Sequence, residues 1–144
     1  MTWIDDINKV HTEYFKDSFD KLGLVKYEEI DGPGMGALIK FKNDSFRLQI
    51  LNDRGLLEMD ISSLHGEEQF RGVEMFNSFL RLETNKNLNE SKRKIILGTR
   101  LDYVGQRDFL LGNSDQLQRL LSKKNYKDTL KRIDILGQEK FGFN

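Results

Sequence analysis

The sequence predicts an α+β fold: an N-terminal helix, a four-stranded antiparallel meander, then three to four helices packed on one face of the sheet. Two observations carry this. Residues 37–41, 46–51 and 56–61 alternate apolar with polar side chains, and the segments Lys42-Asn43-Asp44-Ser45 and Asn52-Asp53-Arg54-Gly55 between them have turn chemistry. On both sides of this meander, apolar residues recur instead at three- and four-residue steps, the period of a helix.

Thr2 offers an N-cap, and Trp3, Ile7, Val10, Tyr14, Ser18 and Leu22 then form a helical line that Phe15 and Phe19 widen and Gly23 stops. Residues 24–30, with Val25, Tyr27 and Ile30, read as a first strand. The loop Asp31-Gly32-Pro33-Gly34-Met35-Gly36 is a hairpin connection, because no Gly-Lys-Ser/Thr ending follows and the next element is a strand. In the meander Ala37, Ile39, Phe41, Phe46, Leu48, Ile50, Leu57, Met59 and Ile61 share one face, since side chains alternate along a strand. The opposite face carries Lys40, Lys42, Arg47, Gln49, Glu58 and Asp60 and is left to water or a polar partner.

After the sheet, Ser62-Ser63 and the acids Glu67 and Glu68 predict a helix start, and Val73, Met75, Phe76, Phe79, Leu80 and Leu82 predict a well-buried helix to about Leu82. Asn89-Glu90 is the cap of another helix, and Ile95-Ile96-Leu97 fits either that helix or a buried strand. Leu97, Leu101, Val104 and Leu111 keep helical spacing, and Gly112-Asn113-Ser114-Asp115 breaks and recaps the chain before Leu117, Leu120 and Leu121. Tyr126, Leu130 and Ile133 begin a last helix ending near Gly137, with the aromatic tail Phe141-Gly142-Phe143 docked on the domain.

The length, 144 residues, is that of one domain, so residues 1–144 are read as a single unit, with the polar stretch from residue 84 as the boundary of a helical subdomain, 84–144. There is no cysteine, which removes disulfides and thiolate metal sites and fits the cytoplasm. Neither a signal peptide nor a run of about 18 apolar residues is present, so no membrane role is expected. Net charge is zero but unevenly spread: residues 1–83 hold 10 basic and 16 acidic side chains, a net of −6, and residues 84–144 hold 13 and 7, a net of +6.

Candidate chemistry is sparse, and no catalytic residue, metal site or cofactor is assigned. His11 lies beside the first helical stripe without a nucleophile or second ligand, and His65 with Glu67 and Glu68 is a metal fragment lacking a fourth ligand. Asp53, Glu58 and Asp60, with Lys40 or Lys42 opposite, are the raw material of a metal-dependent hydrolase or nuclease, but no Glu-x-Lys pair follows. The basic residues Lys92-Arg93-Lys94, Arg100, Arg107, Arg119, Lys123, Lys124, Lys127, Lys131 and Arg132 suit a nucleic-acid regulator only if they share a surface. Asp102, Asp108, Asp115, Asp128 and Asp134 interrupt them, so a solvated helical face is the preferred account.

A helix ending Phe19-Asp20-Lys21-Leu22-Gly23-Leu24, the meander FKNDSFRLQILNDRGLLEMDI and a helix around FRGVEMFNSFLRL together resemble the small α/β immunity proteins encoded beside bacterial polymorphic or contact-dependent toxins. The resemblance covers roughly residues 10–83 and is one of layout. It implies stoichiometric binding to a cognate protein toxin in the cytoplasm, with no chemistry by this chain. Electrostatic complementarity speeds such encounters, and Asp53, Glu58, Asp60, Glu67 and Glu68 are the candidate partner-binding residues.

Overall fold

A computed structural model of the chain describes residues 2–32 and 36–142. It opens with α1 (Trp3–Val10), a π-helical turn (His11–Phe15) and α2 (Lys16–Leu22), followed by β1 (Val25–Gly32), β2 (Gly36–Lys42), β3 (Phe46–Asp53), β4 (Leu56–Ser63) and β5 (Arg71–Gly72). Four helices complete it: α3 (Val73–Thr84), α4 (Glu90–Leu97), α5 (Tyr103–Leu120) and α6 (Tyr126–Phe141).

The N-terminal helix starts where Thr2 and Asp5 cap each other reciprocally, at 3.2 and 3.3 Å. An α-helix turns about 100° per residue, which would put Phe15 roughly 80° round from Ile7. The wider π turn absorbs the extra residue, and Ile7, Phe15, Ser18 and Phe19 are all buried. Tyr14, expected on the main apolar line, is instead 37% exposed.

The sheet is antiparallel throughout, in the order β1-β2-β3-β4-β5. Its apolar face is the expected one: Ala37, Ile39, Phe41, Phe46, Leu48, Ile50, Met59 and Ile61 are buried and form one hydrophobic cluster with residues of the flanking helices. That cluster includes Ile96, Leu97, Phe109, Leu110, Leu117 and Ile133, so the C-terminal helices share the core of the sheet. The β3–β4 hairpin turns at Arg54 (φ 53°) and Gly55 (φ 102°), the positive pair that matches strand twist. Gly36 has φ 124°, and a Cβ there would stand 2.0 Å from the Asn52 carbonyl oxygen, so glycine is required.

Two turn asparagines fasten the first helix to this sheet. Asn43 accepts from the Ser45 and Phe46 amides (2.8 and 2.9 Å) and donates to the Leu22 carbonyl at the end of α2 (2.9 Å). Asn52, fully buried, accepts from the Gly55 amide (2.7 Å) and donates to the Trp3 carbonyl at the start of α1 (3.0 Å). Elsewhere, buried hydroxyls donate to carbonyls at helix ends: Ser78 to Ile96 (2.9 Å), Thr129 to Leu120 (2.7 Å) and Ser63 to Leu121 (2.7 Å).

Several boundaries differ from expectation. A fifth strand exists, and the helix expected from Glu67 begins at Val73, because Ser62 and Ser63 are spent inside the fold: Ser62 accepts from the Gln69 amide (3.0 Å) and Ser63 donates to Leu121. Ile95-Ile96-Leu97 is helical, capped by Asn89, which accepts from the Lys92 amide at 2.9 Å. The expected break at Gly112-Asn113-Ser114-Asp115 is a kink in α5, where Asn113 (φ −125°, ψ 17°) donates to the Phe109 carbonyl at 2.9 Å. Helix α6 passes Gly137 and ends at Phe141, held over its last turns by the two-pronged Arg93–Glu139 pair (2.6 and 2.9 Å). Phe141 is 63% exposed, and the rest of the aromatic tail, Phe143 and Asn144, lies outside the described residues, as does Pro33-Gly34-Met35.

Removing the Asn52 side chain from the β3–β4 turn takes away the acceptor of the Gly55 amide and the side-chain donor to the Trp3 carbonyl, and leaves a gap where a fully buried side chain stood. Asn52→Ala is expected to lower the unfolding free energy in urea by about 2–3 kcal/mol, whereas Asn87→Ala, at an exposed position, changes it by less than about 0.5 kcal/mol. Equal effects would contradict the clamp.

Candidate functional site

With helices on one side, the sheet's other face is the surface left to function. Cross-strand register orders it in rows. The central row is Glu28, Lys40, Gln49, Asp60 and Gly72, and beside it runs Ile30, Leu38, Leu51 and Glu58. On the other side of the central row are Lys42, Arg47 and Ser62.

Residues 64–70 close the half that carries Arg47. Arg47 Nη2 donates to the Leu64 carbonyl (3.0 Å), and its Nη1 is buried without a hydrogen-bond partner among the described residues. Lys40, with a side chain only 14% exposed, bridges Glu28 (3.0 Å) and Glu68 (2.9 Å). Burial alone would depress the lysine's pKa, but the two carboxylates outweigh it and raise it. Burial likewise pushes Glu68 up, and its bonds from Lys40 and Tyr27 bring it below the usual carboxylate range. Tyr27, donating to Glu68 at 3.1 Å, has its phenol pushed up by burial and by that carboxylate. In this half the lysine, the two carboxylates and the phenol are engaged with one another, and Arg47 Nη1 is the buried side-chain atom left without a partner among the described residues.

The β3–β4 half is different. Asp53, Glu58 and Asp60 share the open face, and Glu58 has no hydrogen-bond or ion-pair partner among the described residues. Burial raises the Glu58 pKa, with Asp60, Asp53 and Glu74 adding repulsion. Burial also raises Asp60, offset in part by the hydrogen bond from Gln49 Nε2 at 2.9 Å. Both acids line a groove of about 550 Å³ at the sheet edge, shared with Leu56, Leu57, Met75, Arg100 and Leu101.

The five sequence-predicted acids therefore do not form one patch. Asp53, Glu58 and Asp60 come together, Glu68 is neutralised on the closed half, and Glu67 lines a separate cavity of about 580 Å³ beside Tyr126, Lys127 and Lys131. The lysines expected opposite the acids are engaged elsewhere, Lys40 as above and Lys42 over the Tyr27 ring at 5.1 Å. Among the described residues no group of three or more His, Cys, Asp or Glu is arranged to hold a metal ion. His11 packs between Phe41 and Phe19, each 5.2 Å from its ring, and burial depresses its pKa. His65 lies 6.0 Å from the Tyr126 ring. Several C-terminal cations are committed: Arg93 to Glu139, Arg132 to Glu83 and Arg107 to Asp108.

Sequence reading missed the apolar half of this face. Leu38 and Leu51 stand at the polar parity of their strands, which was the available signal, but the lysines and acids around them dominated it. No helix among the described residues is long and apolar enough to cross a membrane. Compared with known proteins, the chain matches no family model, no curated protein and no solved structure.

The raised pKa of Asp60 sets a testable sign. The folded state takes up the proton first as pH falls, so ionised Asp60 costs stability above its folded pKa, and that cost vanishes below the unfolded value near 3.8. Asp60→Asn, which keeps an acceptor for Gln49, is expected to raise the melting temperature at pH 7 and leave it unchanged near pH 3. A lower melting temperature at pH 7 would contradict this assignment.

Proposed function

We propose that this chain is a non-catalytic protein-binding module of the immunity type, which occupies and neutralises a cognate bacterial toxin through the open half of its sheet. The observation that carries the reading is the row Ile30, Leu38 and Leu51, which ends on Glu58, an acid with no hydrogen-bond or ion-pair partner among the described residues. Leu56 lies in the next row opposite Asp53, which pairs with Arg54, and Asp60 lies in the row on the other side. Ile30 is 44% exposed and Leu56 71% exposed. An apolar centre edged by charge is the anatomy of a protein interface, and isolated exposed leucines would need no such alignment. The acids favour a basic partner surface and speed its encounter. The layout of residues 10–83 is what suggests a toxin as that partner.

No hydrolase reading is carried forward, because among the described residues Lys40 is engaged by Glu28 and Glu68 and no metal-ligand set forms around Asp53, Glu58 and Asp60. The test is retention of a near-stoichiometric protein from the native lysate by the tagged chain, followed by expression of that protein alone and together with this one. The partner alone should arrest growth, and wild type should restore it. Leu51→Lys and Glu58→Lys should each weaken binding at least tenfold. A partner that does not inhibit growth would overturn the immunity reading, and one bound equally by both variants would overturn the surface.

A further inference from the structure

A sheet of this kind has two outer edges, and they are built differently. The β1 edge spans eight residues and carries Lys26, Glu28, Glu29 and Asp31, with a register shift between Lys26 and Glu28. Charges and a bulge are the devices that keep a foreign strand from pairing. The β4 edge has no bulge, and its charges, Glu58 and Asp60, are of one sign. Strand β5 covers it only at Asp60 and Ile61, then the chain leaves the sheet into α3 at Val73. Residues 56–59, Leu-Leu-Glu-Met, keep an unbroken register with β3 and have no strand partner on their outer side among the described residues. That is about 13 Å of unpaired strand.

The 550 Å³ groove lies along this segment, where a longer β5 would have run. Glu74, which accepts a hydrogen bond from the Leu101 amide, ties the far wall in place. Alternation gives the edge two chemistries: Glu58 faces the open side with Asp60 and Asp53, and Leu57 faces the helix side near Met75 and Leu101.

We propose that residues 56–59 accept an extended segment of the partner protein as an added strand, in line with β5, with a Lys or Arg of that segment over Glu58 and apolar side chains against Leu57, Met75 and Leu101. The proposal rests on the protein-binding reading above and names its mode. Backbone pairing supplies affinity and alternate side chains supply selectivity. A second copy of this chain is a poor occupant, because antiparallel pairing of two β4 edges sets Glu58 opposite or diagonal to its own image, a repulsive arrangement.

The test uses the full chain, isotope-labelled, and four eight-residue peptides: alternating lysine and valine, the same with glutamate for lysine, and the lysine peptide N-methylated at alternate residues in each of the two parities. The lysine–valine peptide should protect amides within residues 56–59 from exchange. N-methylation of one parity should weaken binding at least tenfold, and Glu58→Lys should reverse the preference toward the glutamate peptide. Binding indifferent to both methylation patterns, protection of β1 instead, or no binding at millimolar peptide would overturn the proposal. A toxin held through Leu51 that leaves residues 56–59 unprotected would overturn strand addition alone and leave the interface standing.

Discussion

The constraint on which the structure depends is the pair of asparagine clamps between the first helix and the two β-turns. Asn52 reaches the first turn of α1 and Asn43 the last turn of α2, so a 20-residue helical segment is fixed at both ends to one face of the sheet. Each side chain also closes its own turn, which couples hairpin geometry to helix placement. With both ends fixed, the helix must present Ile7, Phe15 and Phe19 to the same strands, and the π turn is how it does so. The apolar face is thereby committed, and the other face is the one left for a partner.

That other face is divided by electrostatics. Around Lys40, two carboxylates and a phenol satisfy one another under residues 64–70, and a group so engaged has little to give a partner. Along β4 no cation pairs with Glu58 or Asp60 among the described residues. Burial raises both pKa values, carboxylate repulsion adds to it at Glu58, and only the Gln49 hydrogen bond offsets it at Asp60, so a partner cation would relieve both. Strand β5 stops after two residues, so charge and an unpaired backbone occur at the same edge. The proposed function and the proposed mode of binding both follow from that coincidence.

Much of this was legible in the sequence. The period-two runs located β2, β3 and β4 to within two residues, and the buried face was read correctly down to Met59 and Ile61. Ile95-Ile96-Leu97 was ambiguous because a short apolar run has no period of its own, and tertiary contact with Ser78 resolves it as helix. Ser62 and Ser63 were misread as helix caps, since a hydroxyl's partner can lie far away in sequence, here at Leu121 for Ser63. Of the candidate acids, alternation correctly placed Glu58 and Asp60 together, but nothing local could reveal that Glu68 folds back onto Lys40, 28 residues earlier. The free edge of β4 was likewise invisible, because it depends on where β5 ends.

The measurement that bears most directly on this account is native-state amide hydrogen exchange of the isolated chain at neutral pH. The amides of residues 56–59 that point away from β3 should exchange within minutes, while those of the central strand β3 persist for hours or longer. Protection of all four β4 amides in the absence of any partner would mean that the edge is already paired, and would contradict the account.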